Sequence, residues 1–127
     1  AYQLNGKTNY AIEGSVFVGG SLIQWLRDQL GIISHASEIE DLANSVKDSG
    51  GITFISALSG LGAPYWGPDA FGSIIGITRK TTKGHIARAA LEAIAIRTHE
   101  IISCMEKDAN IKFSSLKWTV ERVLMIY

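Results

Sequence analysis

The chain lacks the marks of several protein classes. It has one cysteine, Cys104, so no internal disulfide can form, and a reducing, cytoplasmic compartment is the expectation. No apolar run approaches the ~20 residues of a membrane span; the stretch from Val16 to Gly20 lies between Glu13 and Gln24. The first residues, Ala1-Tyr-Gln-Leu-Asn-Gly, have neither the basic nor the apolar region of a signal peptide. Neither charge prevails: 12 basic and 12 acidic side chains give a net charge of +0. That argues against a nucleic-acid or membrane-surface binder, which needs a basic face. There is no internal repeat, low-complexity segment or dividing linker. What is present is 46% hydrophobic and 19% charged residues, a globular composition. The 127 residues suffice for one domain with a core.

The pattern along the chain is a mix of strands and amphipathic helices, which suggests a layered α/β domain. Tyr2 to Ile12 reads as a hairpin, because Asn5-Gly6 suits the positive φ of both central residues in a type I′ turn. Leu22, Ile23, Leu26 and Leu30 recur at helical spacing, predicting a helix over about 17–30 that Gly31 ends. Ser37-Glu-Ile-Glu40 reads as a capping box opening a helix over about 37–47, with Ile39, Leu42, Ala43 and Val46 on its apolar face. Strands are expected at 52–58 and 73–78, paired with each other. Thr81 or Thr82 caps a long helix over 83–107 with the stripe Ile86, Ala90, Ile94, Ile101, Met105.

Few residues suggest chemistry. Seven of the 13 glycines fall between Gly50 and Gly76. Among them, Ser59-Gly-Leu-Gly-Ala-Pro-Tyr-Trp66 is a strand-end loop, the kind of place where α/β proteins bind ligands, or simply a structural turn. Gly19-Gly20-Ser21 opens a helix, so its N–H groups and positive helix end could face a phosphate. It has neither the lysine of a P-loop nor the spacing of a dinucleotide fingerprint, and Gly-Gly-Ser before a helix is more often just a chain break. His85 and His99 would stand about 21 Å apart on one helix and cannot share a metal. Those two and His35 read as surface or core histidines, Cys104 as a packed thiol, and Glu92 and Glu100 as solvated or ion-paired. No catalytic residue and no metal ligand emerges. The residues by themselves describe an α/β module able to bind phosphate.

Several segments in order nonetheless match a family. Tyr10-Ala-Ile-Glu-Gly-Ser-Val-Phe-Val-Gly-Gly-Ser-Leu-Ile-Gln-Trp-Leu-Arg-Asp28 and Ser59-Gly-Leu-Gly-Ala-Pro-Tyr-Trp-Gly-Pro-Asp-Ala70 closely resemble the second domain of bacterial glycerol kinases. Gly72-Ser-Ile-Ile-Gly-Ile-Thr-Arg79, continuing through His85-Ile-Ala-Arg-Ala-Ala-Leu-Glu92, fits the second signature of the FGGY carbohydrate kinases. The resemblance covers about residues 1–117. It implies part of an actin-like, ribonuclease-H-like ATPase domain, the C-terminal FGGY domain, truncated. It also implies ATP between two domains and Mg²⁺-assisted phosphoryl transfer to glycerol. The glycine and glutamine that contact nucleotide in the family correspond to Gly20 and Gln24. The family's phosphate loop, catalytic aspartate and glycerol-binding residues match nothing here, because they lie upstream in the family pattern. The resemblance therefore implies a chain that is inactive alone and lacks its N-terminal partner domain. The alternatives are a stand-alone nucleotide-binding or regulatory module and a complementing half of a split kinase.

The end of the chain departs from that pattern. After Leu116-Lys117 the family continues Val-Asp-Gly-Gly-Ala-x-x-Asn; here the residues are Trp118-Thr-Val-Glu-Arg-Val-Leu-Met-Ile-Tyr127. Codons for Lys117 to Tyr127, read with the first two bases dropped, become GTG, GAC, NGT, NGA, RCG, NGT, NCT, NAT, GAT, HTA. Permitted choices at the free bases spell Val-Asp-Gly-Gly-Ala-Ser-Ala-Asn-Asp-Leu. Residues 118–127 thus read as an out-of-frame tail. They are strongly apolar, and with no surface selected to receive them, self-association is expected.

Overall fold

The structure, a computed structural model, describes residues 2–113, 117–118 and 123–126. The element order is β1 (Tyr2–Leu4), β2 (Lys7–Asn9), β3 (Ile12–Ser15), α1 (Gly20–Asp28), α2 (Glu38–Asn44), β4 (Thr53–Ile55), β5 (Ser73–Ile75), α3 (Lys83–Ala109), β6 (Lys117–Trp118) and β7 (Val123–Ile126). The strands form an antiparallel β1-β2 hairpin, a β3-β7-β6 sheet and an antiparallel β4-β5 pair. The expected mixed α/β architecture is present.

Local chemistry explains most boundaries. Asn5 and Gly6 have φ of 50° and 77°, and Leu4 pairs with Lys7, as a type I′ turn requires. α1 is shorter than the apolar spacing suggests. It starts after Gly19, its N-cap, so Phe17 and Val18 precede it. It ends at Asp28, and Leu30 lies beyond it, exposed. The capping box expected at Ser37 and Glu40 does not form. Ser37 is itself in helical conformation and makes no cap bond. The adjacent carboxylate of Glu38 instead accepts the Ser34 N–H at 3.0 Å.

The long helix is unbroken, as its period predicts. Thr82 is its N-cap, and a capping box joins it to His85. At the other end Asn110 adopts a left-handed conformation with φ 53°, its N–H directed to the carbonyls of Glu106 and Lys107. The buried face of α3 is made mainly of small residues, Gly84, Ala87, Ala89, Ala90 and Ala93, followed by Ile101 and Met105. Ile86 and Ile94 of the expected stripe only flank it, half-buried. Small residues allow α2 and β4 to approach the helix closely.

The main core centres on Leu22 and Leu26, both fully buried, each stabilising the fold by about 1.5–3 kcal/mol. Val18, Ile39, Ile52, Phe54 and the α3 alanines close around them. Trp25 packs edge-on to Phe54 with ring centres 6.3 Å apart. A second, smaller cluster joins Val16 to Ile101 and Met105. Together the two clusters fix the approach to α1 from both sides.

Val123–Ile126 pairs inside the chain, antiparallel with Ile12–Ser15 in the register Ile12↔Ile126. β3 offers a free edge, and strand pairing needs only backbone groups. The strand expected to begin at Leu116 and extend to Val120 is described only at Lys117–Trp118; Leu116, Thr119 and Val120 lie outside the described residues.

Candidate functional site

The candidate site is built at the N-terminal end of α1. Gly19 and Gly20 lead into the helix, and Leu22 donates its N–H to the Gly19 carbonyl at 2.9 Å. A side chain added at either glycine would meet nothing within 4 Å. The space over this helix end is therefore open to an approaching group. Gly20 and Gln24 are both exposed and one helical turn apart, hence on one face. Leu22, Ile23 and Leu26 are buried beneath them, so the core holds the helix while its outer face stays free. A helix N-terminus presents unpaired N–H groups and a partial positive charge, which suits phosphate. Both residues expected from the resemblance thus come together.

The glycine-rich loop lies beside the chain leading into this helix. It closes on itself through reciprocal backbone bonds between Leu61 and Gly67 at 2.8 and 2.9 Å. Tyr65 and Trp66 both direct N–H groups to the Gly62 carbonyl at 3.0 Å. Trp66 is 72% exposed. Tyr65 donates its hydroxyl proton to Glu100 at 2.7 Å, and that hydrogen bond, reinforced by the carboxylate's charge, raises the Tyr65 pKa above the ordinary phenol value. Arg97 bonds the other Glu100 oxygen, donates to the Ala63 carbonyl at 2.8 Å and lies over the Tyr65 ring, 5.1 Å from its centre.

Sequence reasoning did not single out Arg97. Its i,i+3 spacing to Glu100 is a usable signal, but only the fold brings Tyr65 and Ala63 to that pair. Glu92 is ion-paired with Arg88 at 2.9 Å, as read from sequence. His35 and His99 are exposed, while His85 and Cys104 are half-buried. At the far end of α1 the Asp28 pKa is lowered by its hydrogen bond from Arg27. Among the described residues, no group of three His, Cys, Asp or Glu side chains could hold a metal ion. No helix among them is long and apolar enough to cross a membrane.

Comparison with known proteins places the chain in a family. The model of the FGGY family of carbohydrate kinases, C-terminal domain, matches residues 2–119. The glycerol kinase of Herminiimonas arsenicoxydans is 56% identical over 114 residues, covering 90% of this chain and 23% of its own length. Glycerol kinase 2 of Thermotoga maritima is 55% identical over 117 residues, 92% of this chain and 24% of its own. Among solved structures, Plasmodium falciparum glycerol kinase with ADP superposes with a TM-score of 0.69 at 38% identity, over 74% of this chain and 18% of that one. Ligand-bound xylulose kinase from Lactobacillus acidophilus gives 0.63 at 30% identity, over 74% and 19%. The chain spans less than a quarter of the length of these relatives. Its α/β fold is the actin-like one that they share, and the chain belongs to the FGGY family of carbohydrate kinases, in the family's C-terminal domain.

Proposed function

We propose that these residues form part of the C-terminal lobe of an ATP-dependent, cytoplasmic glycerol kinase and supply one wall of its nucleotide site. The observation that carries this reading is the exposed pair Gly20 and Gln24 on one face at the open end of α1, in a chain 55–56% identical to glycerol kinases. The missing side chain at Gly20 lets a phosphate-bearing group approach the helix N–H groups. The Gln24 amide, one turn on, can both donate and accept a hydrogen bond on the same side. When bound, ATP supplies the phosphoryl group that glycerol accepts. Mg²⁺ is expected to accompany it, and none of the described residues is assigned to hold the ion. Phosphoryl transfer also needs an oriented acceptor hydroxyl, and the family's acceptor-site residues match no position here.

The test is a titration of the 127-residue chain with ADP, followed by amide NMR. Shifts centred on Gly20 and Gln24, weakened by Gly20→Val and Gln24→Ala, are expected. Tight binding unchanged by either substitution overturns the assignment. The same preparation, free of host kinase, should not turn over glycerol in a coupled assay; ATP-dependent turnover by it contradicts the proposed division of the site.

We also propose that residues 1–117 carry the partial domain and that residues 118–127 are read out of frame. The family match stopping at residue 119 supports this, as does the recoverable Val-Asp-Gly-Gly-Ala-x-x-Asn motif. Sequencing the gene through codon 117 decides it. A lost base at that point is expected, and restoring it within the complete gene should give a soluble kinase. An intact frame encoding Trp118 to Tyr127 in independent isolates overturns the proposal.

A further inference from the structure

Three elements meet behind the open end of α1. The first is the segment Val16–Val18, which runs directly into Gly19 and Gly20. The second is the turn Gly60–Gly62. The third is Arg97 on α3. They line a cavity of ≈ 10 Å³, near the smallest that holds one water. Gly62 lies flat against the Phe17 ring: a Cβ there would stand 3.0–3.2 Å from three ring atoms. Arg97 holds the other side of that turn. Its side chain is only 14% exposed. It bonds the Ala63 carbonyl at 2.8 Å and Glu100, and Glu100 in turn takes the Tyr65 hydroxyl.

We infer that Arg97 is a positioning residue for the nucleotide-binding end of α1, acting through the Gly60–Gly67 turn and the Phe17 ring; the word nucleotide here rests on the function proposed above. The chain of contact is continuous. Arg97 and Glu100 sit on one rigid helix and fix Ala63 and Tyr65 on the turn. Gly62, the next residue toward the N-terminus, backs Phe17. Two residues after Phe17 comes Gly19, whose carbonyl accepts the first bond of α1. The guanidinium's planar fork suits this role, because it can bond a carboxylate and a carbonyl at once. A lysine in its place has one nitrogen to divide between the two.

Two readouts on the 127-residue chain test this separately. In the absence of nucleotide, Arg97→Ala should shift or broaden the amide resonances of Phe17, Gly19 and Gly20 as well as those of Gly62 and Tyr65. Resonances of Ala87 to Ala93 on the core side of α3 should stay in place. Changes confined to residues 60–67 overturn the inference. With ADP as probe, Arg97→Ala should weaken binding roughly tenfold, the scale of one lost charge-assisted hydrogen bond, and Arg97→Lys should recover part of that loss. ADP affinity equal in the parent chain and in Arg97→Ala overturns the role toward nucleotide. If the parent chain shows no ADP-dependent shifts at Gly20, the nucleotide assignment fails, while the nucleotide-free spectra still decide whether Arg97 positions α1. Should Arg97→Ala unfold the chain, Arg97→Lys and Gly62→Ala take its place, the latter pressing on Phe17 from the turn. Unmoved Gly19 and Gly20 resonances in both refute the coupling.

Discussion

His85 shows how a single side chain can be placed by backbone need. The first N–H groups of a helix have no partner within it, and in a capping box a glutamate or glutamine usually returns to the N-cap N–H. Here the imidazole does so: Thr82 donates its N–H to His85 Nδ1 at 3.0 Å. His85→Ala should therefore cost about 1 kcal/mol, while His85→Gln should retain most of it; urea midpoints of the two variants check this. Gly84, one residue earlier, presents the opposite balance. Alanine in a helix interior is ordinarily favoured over glycine by about 1 kcal/mol. A Cβ at Gly84, however, would stand 2.7 Å from Ser45 Oγ and 3.0 Å from the Leu42 carbonyl oxygen. Ser45 Oγ is held there by its 2.6 Å bond to that same carbonyl. Overpacking of about 1–3 kcal/mol should win, and Gly84→Ala should lower the melting temperature.

At the scale of elements, legibility followed how local the cause was. The β1-β2 hairpin and the unbroken α3 were readable, since each depends on turn chemistry or on one dominant period. Ser37 was misread because a capping box is a pattern of residue types, whereas Ser37 is itself in helical conformation and makes no cap bond. At the approach to α1, Gly20 stood out through the Gly19-Gly20-Ser21 break, and Gln24 only through family resemblance. Arg97 was not readable, because its partners Ala63 and Tyr65 stand more than thirty residues away. That loop-to-helix tie carries its own pH signature. The Tyr65 pKa is raised because its phenol donates to the Glu100 carboxylate, and ionisation would place two negative charges together. The folded form thus favours the neutral phenol. This contribution is complete below the ordinary phenol pKa and is lost as pH rises through the higher folded value. In a phenolate-absorbance titration, Tyr65 should ionise as a late step, above the ordinary phenol range. Tyr65→Phe should remove that late step; an unchanged curve would show that the tie does not persist in solution.

For the whole molecule, the question is what covers its apolar outer face. On the β4-β5 pair, Phe54 turns inward, so Ile55 and Ile75 turn outward, and both are exposed. Ile77, beyond the strand, and Phe71, before it, are also exposed. Large exposed apolar patches mark interfaces or sites of aggregation. The tail is the competing source, but β7 already pairs with β3 inside the chain. Deleting residues 118–127 would uncover the β3 edge rather than remove a free strand. We therefore expect light scattering to show self-association of the 127-residue chain, and to show it still for a chain ending at Lys117. Ile75→Thr with Ile77→Thr should reduce it, because threonine keeps the β-branched shape that suits an extended chain while replacing a hydrocarbon surface with a hydroxyl. A full chain that stays monomeric contradicts the expectation outright. Association abolished by the shortened chain, and untouched by the threonine pair, would return its cause to Trp118–Tyr127.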